Sequence, residues 1–147
     1  MAFDLKRFAA AQDPVYSTVT RELREGRKQS HWMWFIFPQI AGLGSSEMAQ
    51  RYAVASLDEA REYLADPKLG LRLRECTALA LEIKDKSADE IFGFPDNLKF
   101  RSSMTLFARA AREDTDTVFR DALARFYGGK EDEETVSRLE RTRDRAS

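Results

Sequence analysis

The stretch SHWMWFIFPQ, residues 30–39, decides how the rest of the chain is read. Trp32 to Phe37 is an unbroken apolar run that holds both tryptophans of the protein, and the single histidine, His31, stands at its head. Periodicity does not separate helix from strand here, because every position of the run is apolar. In either conformation most of its sides need cover, so the segment is expected to pass through the interior, with Pro38 ending it. Each aromatic buried in this way stabilises a fold by about 2–3 kcal/mol.

Working outward, the flanks read as helix. Upstream, Asp4 is the expected cap of a short first helix. Asp13-Pro14 is a cap followed by a first helical position, Tyr16, Val19, Thr20 and Leu23 share one face, and Gly26 is a stop. Downstream, AGLGSSEMAQRY turns through Gly42 and Gly44 into a helix capped by Ser45 or Ser46. Ser56 opens LDEAREYLAD as a capping box, Pro67 opens a longer helix through Leu69, Leu73 and Ile83, and Ser87 to Phe92 is a short helix closed by Gly93. Asp96 is the expected cap of NLKFRSSMTLFARAARE, whose apolar stripe is Phe100, Met104, Phe107, Ala108 and Ala111. Asp116 begins TVFRDALARFYGG, which stops at Gly128-Gly129. Outside the aromatic run no segment alternates with period two, and there is no internal repeat. The expected fold class is all-α, a compact single-domain multihelical bundle of about seven to nine helices. That domain covers residues 1–130. Residues 131–147 offer only Val136 and Leu139 for packing and read as a charged C-terminal helix or frayed tail.

Charge and cysteine content narrow the functions. With 24 basic against 25 acidic residues, nothing favours DNA, RNA or an anionic membrane as partner. One cysteine, Cys76, excludes an internal disulfide, and one cysteine with one histidine excludes the usual tetrahedral zinc sites. LRECTALAL places Cys76 on a helix as a buried thiol. No cofactor motif stands out: GLGSSEM is neither a dinucleotide fingerprint nor a P-loop, and is a weak anion site at most. MAFDLKRFAAAQ lacks the apolar core of a signal peptide, so the expected location is cytoplasmic.

Two clusters have the chemistry of a site. Around the aromatic run stand Lys28, His31 and Gln39, and the indole N–H groups of Trp32 and Trp34 need polar partners in a dry place. In FGFPDNLKFRSSMTLF, Asp96, Lys99, Ser102 and Ser103 fall on the first turns of a helix, where a lysine and hydroxyls make an anion seat. Both clusters have bland alternatives, a large core contribution for the first and a capped amphipathic helix for the second. As a composite site, Trp32 and Trp34 stack a ring while Lys28, Lys99, Ser102 and Ser103 hold an anion. Gln39 and Asp96 orient the rim, and His31 with Asp96 are the candidate catalytic acid–base groups.

The phrases FAAAQDPVY, GRKQSHWMWFIFPQIAGLG, YLADPKLGLRLREC and EIFGFPDNLKFRSSMTLF resemble the domain-of-unknown-function family numbered 1810, from about Phe3 to Gly129. The resemblance implies an all-α fold and no activity. The name calpastatin, sometimes given to that family, does not suit this chain: such inhibitors are extended segments that order on binding, and a dense aromatic core is the opposite composition. Two classes of function stand. One is a protein binding or processing a small phosphorylated or nucleotide-like ligand in an aromatic-lined pocket, for which handling of ADP-ribose-like compounds is a fold-level analogy. The other is a protein-interaction module without catalysis, using the same aromatics as a groove.

Overall fold

A computed structural model describes residues 3–112 and 114–146, with side chains through Arg141. Met1, Ala2, Glu113 and Ser147, which the sequence reading places at the start of the domain, the end of a helix and the end of the tail, lie outside the described residues. The aromatic run resolves into one helical turn, α3 (Met33–Ile36), flanked by irregular residues. Trp32, Met33, Phe35, Ile36 and Phe37 are all buried, and only Trp34 is partly exposed.

Ten helices are formed among the described residues, slightly more than the seven to nine expected. The others are α1 (Lys6–Gln12), α2 (Tyr16–Glu25), α4 (Glu47–Arg51), α5 (Leu57–Ala65), α6 (Leu69–Glu82), α7 (Ala88–Phe92), α8 (Asp96–Ala110), α9 (Val118–Tyr127) and α10 (Glu133–Ala146). The fold is all-α. A single parallel bridge between Ile40 and Val54 is the only sheet-like pairing among the described residues.

Local chemistry explains most boundaries. Ser46, Ser56 and Ser87 each accept a hydrogen bond from a backbone N–H three residues on, and Ser87 with Glu90 completes a capping box. Gly26 and Gly128 end α2 and α9 at φ of 75° and 62°, a left-handed conformation glycine adopts without strain. Four expected aspartate caps are corrected. Helix α1 starts after Leu5, α2 after Val15, α8 after Pro95 and α9 after Thr117, each without a side-chain cap. Three of the four carboxylates go to cations instead: Asp13 to Lys68 and Arg72, Asp116 to Arg74, and Asp96 to two lysines described below. An ammonium or guanidinium adds the attraction of a full positive charge, which a backbone N–H does not carry.

Helix α8 is the centre of the bundle and touches α3, α5, α7, α9 and α10. Its Phe100 stacks on Phe92 at 4.5 Å and takes the edge of Phe37 at 4.9 Å, which joins the aromatic run to the later helices. Gln12 is a polar residue driven deep beneath the run. Its amide donates to the Phe35 carbonyl at 2.7 Å and to the Tyr63 hydroxyl at 2.9 Å. The charged C-terminal segment is tied to α8 as well. Glu131 pairs with Arg109 and Arg120, the Asp132 N–H donates to Thr105 Oγ1 at 2.8 Å, and Leu139 is buried.

Candidate functional site

The segment between α2 and α3 is shaped by a residue that sequence reasoning did not single out, Glu22. It lies on α2, is 1% exposed, and its carboxylate accepts four hydrogen bonds from the next ten residues. The donors are the Gln29 N–H (2.8 Å), the Ser30 N–H (3.0 Å), the Ser30 hydroxyl (2.6 Å) and the Trp32 indole N–H (2.9 Å). Burial pushes this carboxyl up, but the four donors outweigh it and hold it at about 2. The partner that the Trp32 indole was expected to need is therefore a buried carboxylate. Trp32 itself is 1% exposed and offers no face to solvent.

The loop fixed by Glu22 carries Lys28 to the start of α8. The Lys28 N–H donates to the Ile91 carbonyl at 2.8 Å, and its ammonium lies 2.7 Å from Asp96 Oδ2 and 5.2 Å from the Trp32 ring centroid. The Lys28 side chain is only 7% exposed and that of Asp96 18%. Lys99, one turn further along α8, meets the other oxygen of Asp96 at 3.3 Å and lies 4.7 Å from the centroid of the Trp34 ring. The two sequence clusters thus meet, through the chain Trp32–Lys28–Asp96–Lys99–Trp34. Two ammonium groups share one carboxylate, which leaves a surplus positive charge beside a partly exposed indole.

The remaining candidates stand at different distances from that centre. His31 is exposed, and no hydrogen bond or ion pair joins it to Asp96 among the described residues. Gln39 is half-buried and its carbonyl accepts from the Val54 N–H at 2.8 Å, so its backbone serves the bridge between Ile40 and Val54. The Ser102 hydroxyl bonds back to the Leu98 carbonyl at 3.1 Å, satisfied within its own helix. Ser103 is fully buried, and its hydroxyl has no hydrogen-bond partner among the described residues. In helical register it lies below Lys99 on the same face. Asn97, which the sequence reading passed over, holds the turn in front of α8: its N–H donates to the Gly93 carbonyl, its amide to Asp89, and its carbonyl accepts from the Tyr127 hydroxyl.

Elsewhere the chemistry is structural. Burial pushes the Cys76 thiol up to about 12, so it is inert as a nucleophile at neutral pH. No group of three or more histidine, cysteine or acidic side chains suited to a metal ion occurs among the described residues. No helix among them is long and apolar enough to cross a membrane. In the GLGSS turn, Ser46 serves as helix cap and Gly42 lies against the Arg138 guanidinium.

Comparison with known proteins agrees with this architecture. The chain is similar to the conserved hypothetical protein Rv1873 from Mycobacterium tuberculosis, whose crystal structure matches with a TM-score of 0.90. Identity is 57%, and the match covers 93% of this chain and 96% of that one. No curated protein matches the chain. The model of the family described as protein of unknown function, DUF1810, matches residues 2–139, past Gly129 and into α10. On sequence and fold together, the chain belongs to the DUF1810 family.

Proposed function

We propose that the protein binds a small phosphorylated or nucleotide-like molecule at the face formed by Lys28, Trp34, Asp96 and Lys99. The observation that carries this reading is the sharing of Asp96 by two lysines, one of them almost fully buried. A buried ammonium is costly unless paired, so Lys28 claims Asp96 at the shorter distance and leaves Lys99 the freer cation. The first turn of α8 adds its own positive potential at the same place. Lys99 is then the anion contact, Lys28 the fixed charge behind it, and Trp34 the aromatic wall. His31 is exposed and makes no hydrogen bond or ion pair to Asp96 among the described residues, so this is a reading of binding without a reaction. The cytoplasm, where phosphorylated metabolites are abundant, is the compartment that suits it.

Calorimetry and thermal-shift measurements with nucleotides, sugar phosphates and ADP-ribose test the reading, since a ligand of the native state raises its melting temperature. Lys99→Ala is expected to weaken anion binding about tenfold, the scale of one charge-assisted contact, with the melting temperature nearly unchanged. Loss of stability with unchanged binding would make Lys99 a structural residue and remove the site. A second reading, a protein-interaction module, is favoured by one observation: Phe94 and Leu98, at the start of the helix that carries Asp96 and Lys99, are 82% and 49% exposed.

A further inference from the structure

In the motif FGF, residues 92–94, the two aromatic side chains take opposite fates. Phe92 is 5% exposed and stacks on Phe100, whereas Phe94 is 82% exposed. The large apolar side chains left exposed among the described residues are Leu71, Phe94 and Leu98, and two of these three are four residues apart, one just before α8 and one in its first turn. The turn that presents Phe94 is held from several sides. The Asn97 N–H donates to the Gly93 carbonyl at 2.8 Å, and the Leu98 and Lys99 N–H groups reach the Pro95 carbonyl at 3.0 and 3.3 Å. The Tyr127 hydroxyl donates to the Asn97 carbonyl at 2.5 Å. A ring standing in water on an anchored turn is an apolar surface already in place, with little ordering left to offset when something covers it. Five residues further on, at the start of α8, is Lys99, with the surplus charge of the Lys28–Asp96–Lys99 group.

We propose that the ligand of this face is a small amphiphile, a phosphate monoester whose anion meets Lys99 while its alkyl or aryl body lies over Phe94 and Leu98. The proposal rests on the anion-binding reading above and narrows its ligand. Charge complementarity places the head group, and the apolar pair a turn away places the body. A nucleobase suits this surface less well, because its polar edges gain no partner from a phenyl ring or a leucine and lose water on contact. A protein segment or a lipid surface also brings apolar groups, but the lone surplus charge matches one phosphate of a molecule free in solution.

The test is a calorimetric series at constant ionic strength: inorganic phosphate, n-butyl phosphate, n-octyl phosphate below its aggregation concentration, and AMP. A fully covered methylene strengthens binding by about fourfold, so partial cover still gives a rise of at least about tenfold from butyl to octyl phosphate. Replacing Phe94 and Leu98 together by serine should abolish that rise while leaving inorganic phosphate unaffected. Both side chains are exposed, so the variant is expected to melt as the parent does, which is checked alongside. Equal affinity for butyl and octyl phosphate, or a rise that survives in the double variant, overturns the amphiphile and spares the anion seat. If no phosphate of the series binds, or if Lys99→Ala binds all of them as the parent does, the anion seat itself fails. Binding only to vesicles containing anionic lipid, with none to the free amphiphiles, assigns the face to a membrane surface and overturns the proposal.

Discussion

Replacing Glu22 by glutamine isolates the group that organises residues 29–32. In the folded protein this carboxyl is held at about 2, against an ordinary value of 4.5. A difference of that size corresponds to about 3 kcal/mol of folding stability carried by the ionised form. Glutamine keeps the shape, and its one oxygen can still accept from the Gln29, Ser30 and Trp32 N–H groups. Its amide nitrogen faces the Ser30 hydroxyl, which turns from donor to acceptor. What is lost is the negative charge that strengthens all four bonds. Because the folded value lies below the ordinary one, the stabilisation is fully present above about pH 4.5 and lost as pH falls towards 2. Urea denaturation of both proteins at pH 7 and pH 3 provides the assay. The parent should lose about 2 kcal/mol more than Glu22→Gln between the two pH values, so that the gap between them narrows from about 3 to about 1 kcal/mol. If parent and variant lose stability equally over that interval, Glu22 is not the ionised hub described here and the loop is held by other contacts.

Two further substitutions probe the packing. Gly70, near the start of α6, approaches α5 so closely that an added Cβ would lie 2.2 Å from the Leu64 carbonyl oxygen, an atom of the backbone that cannot swing aside. Gly70→Ala is therefore expected to cost about 1–3 kcal/mol in a denaturant melt, and a gain in stability would show that α5 and α6 shift freely. Two truncations divide the C-terminal segment. Ending the chain after Glu140 should change the melting temperature little. Ending it after Lys130 removes Glu131, Asp132 and Leu139 and should cost roughly 2–4 kcal/mol, from one buried leucine and the lost partners of Arg109 and Thr105. Equal melting temperatures for the two truncated chains would mean that the α10 contacts contribute nothing.

How much of this protein was legible in its sequence follows the range of each signal. Serine caps before α4, α5 and α7 and glycine stops after α2 and α9 operate within one or two turns, and they could be read directly. The apolar run at residues 32–37 announced its own burial because no arrangement in water suits six adjacent apolar side chains. Its conformation was not legible, since a run apolar on all sides carries no period, and the surrounding helices decided that it forms a single turn. Glu22 was equally hidden. In TRELRE it looks like one more charge on a solvated helix face, and only the return of the chain over α2 brings donors to it.

The aspartates show the division most clearly. By sequence alone Asp4, Asp13, Asp96 and Asp116 fit the role of helix caps, because a short acceptor before an apolar period is the local rule. Tertiary structure brings cations from far along the chain to three of them: Lys68 and Arg72 to Asp13, Arg74 to Asp116, and Lys28 to Asp96. The sequence by itself determined that the chain is all-helical, where most helices stop, and that its aromatic segment is interior. Only the tertiary structure decided that Lys28 and Asp96 meet, and so that the aromatic run and the start of α8 form one face. Along the chain α3 to α7 separate the two partners, and nothing within a few residues of either one encodes the contact.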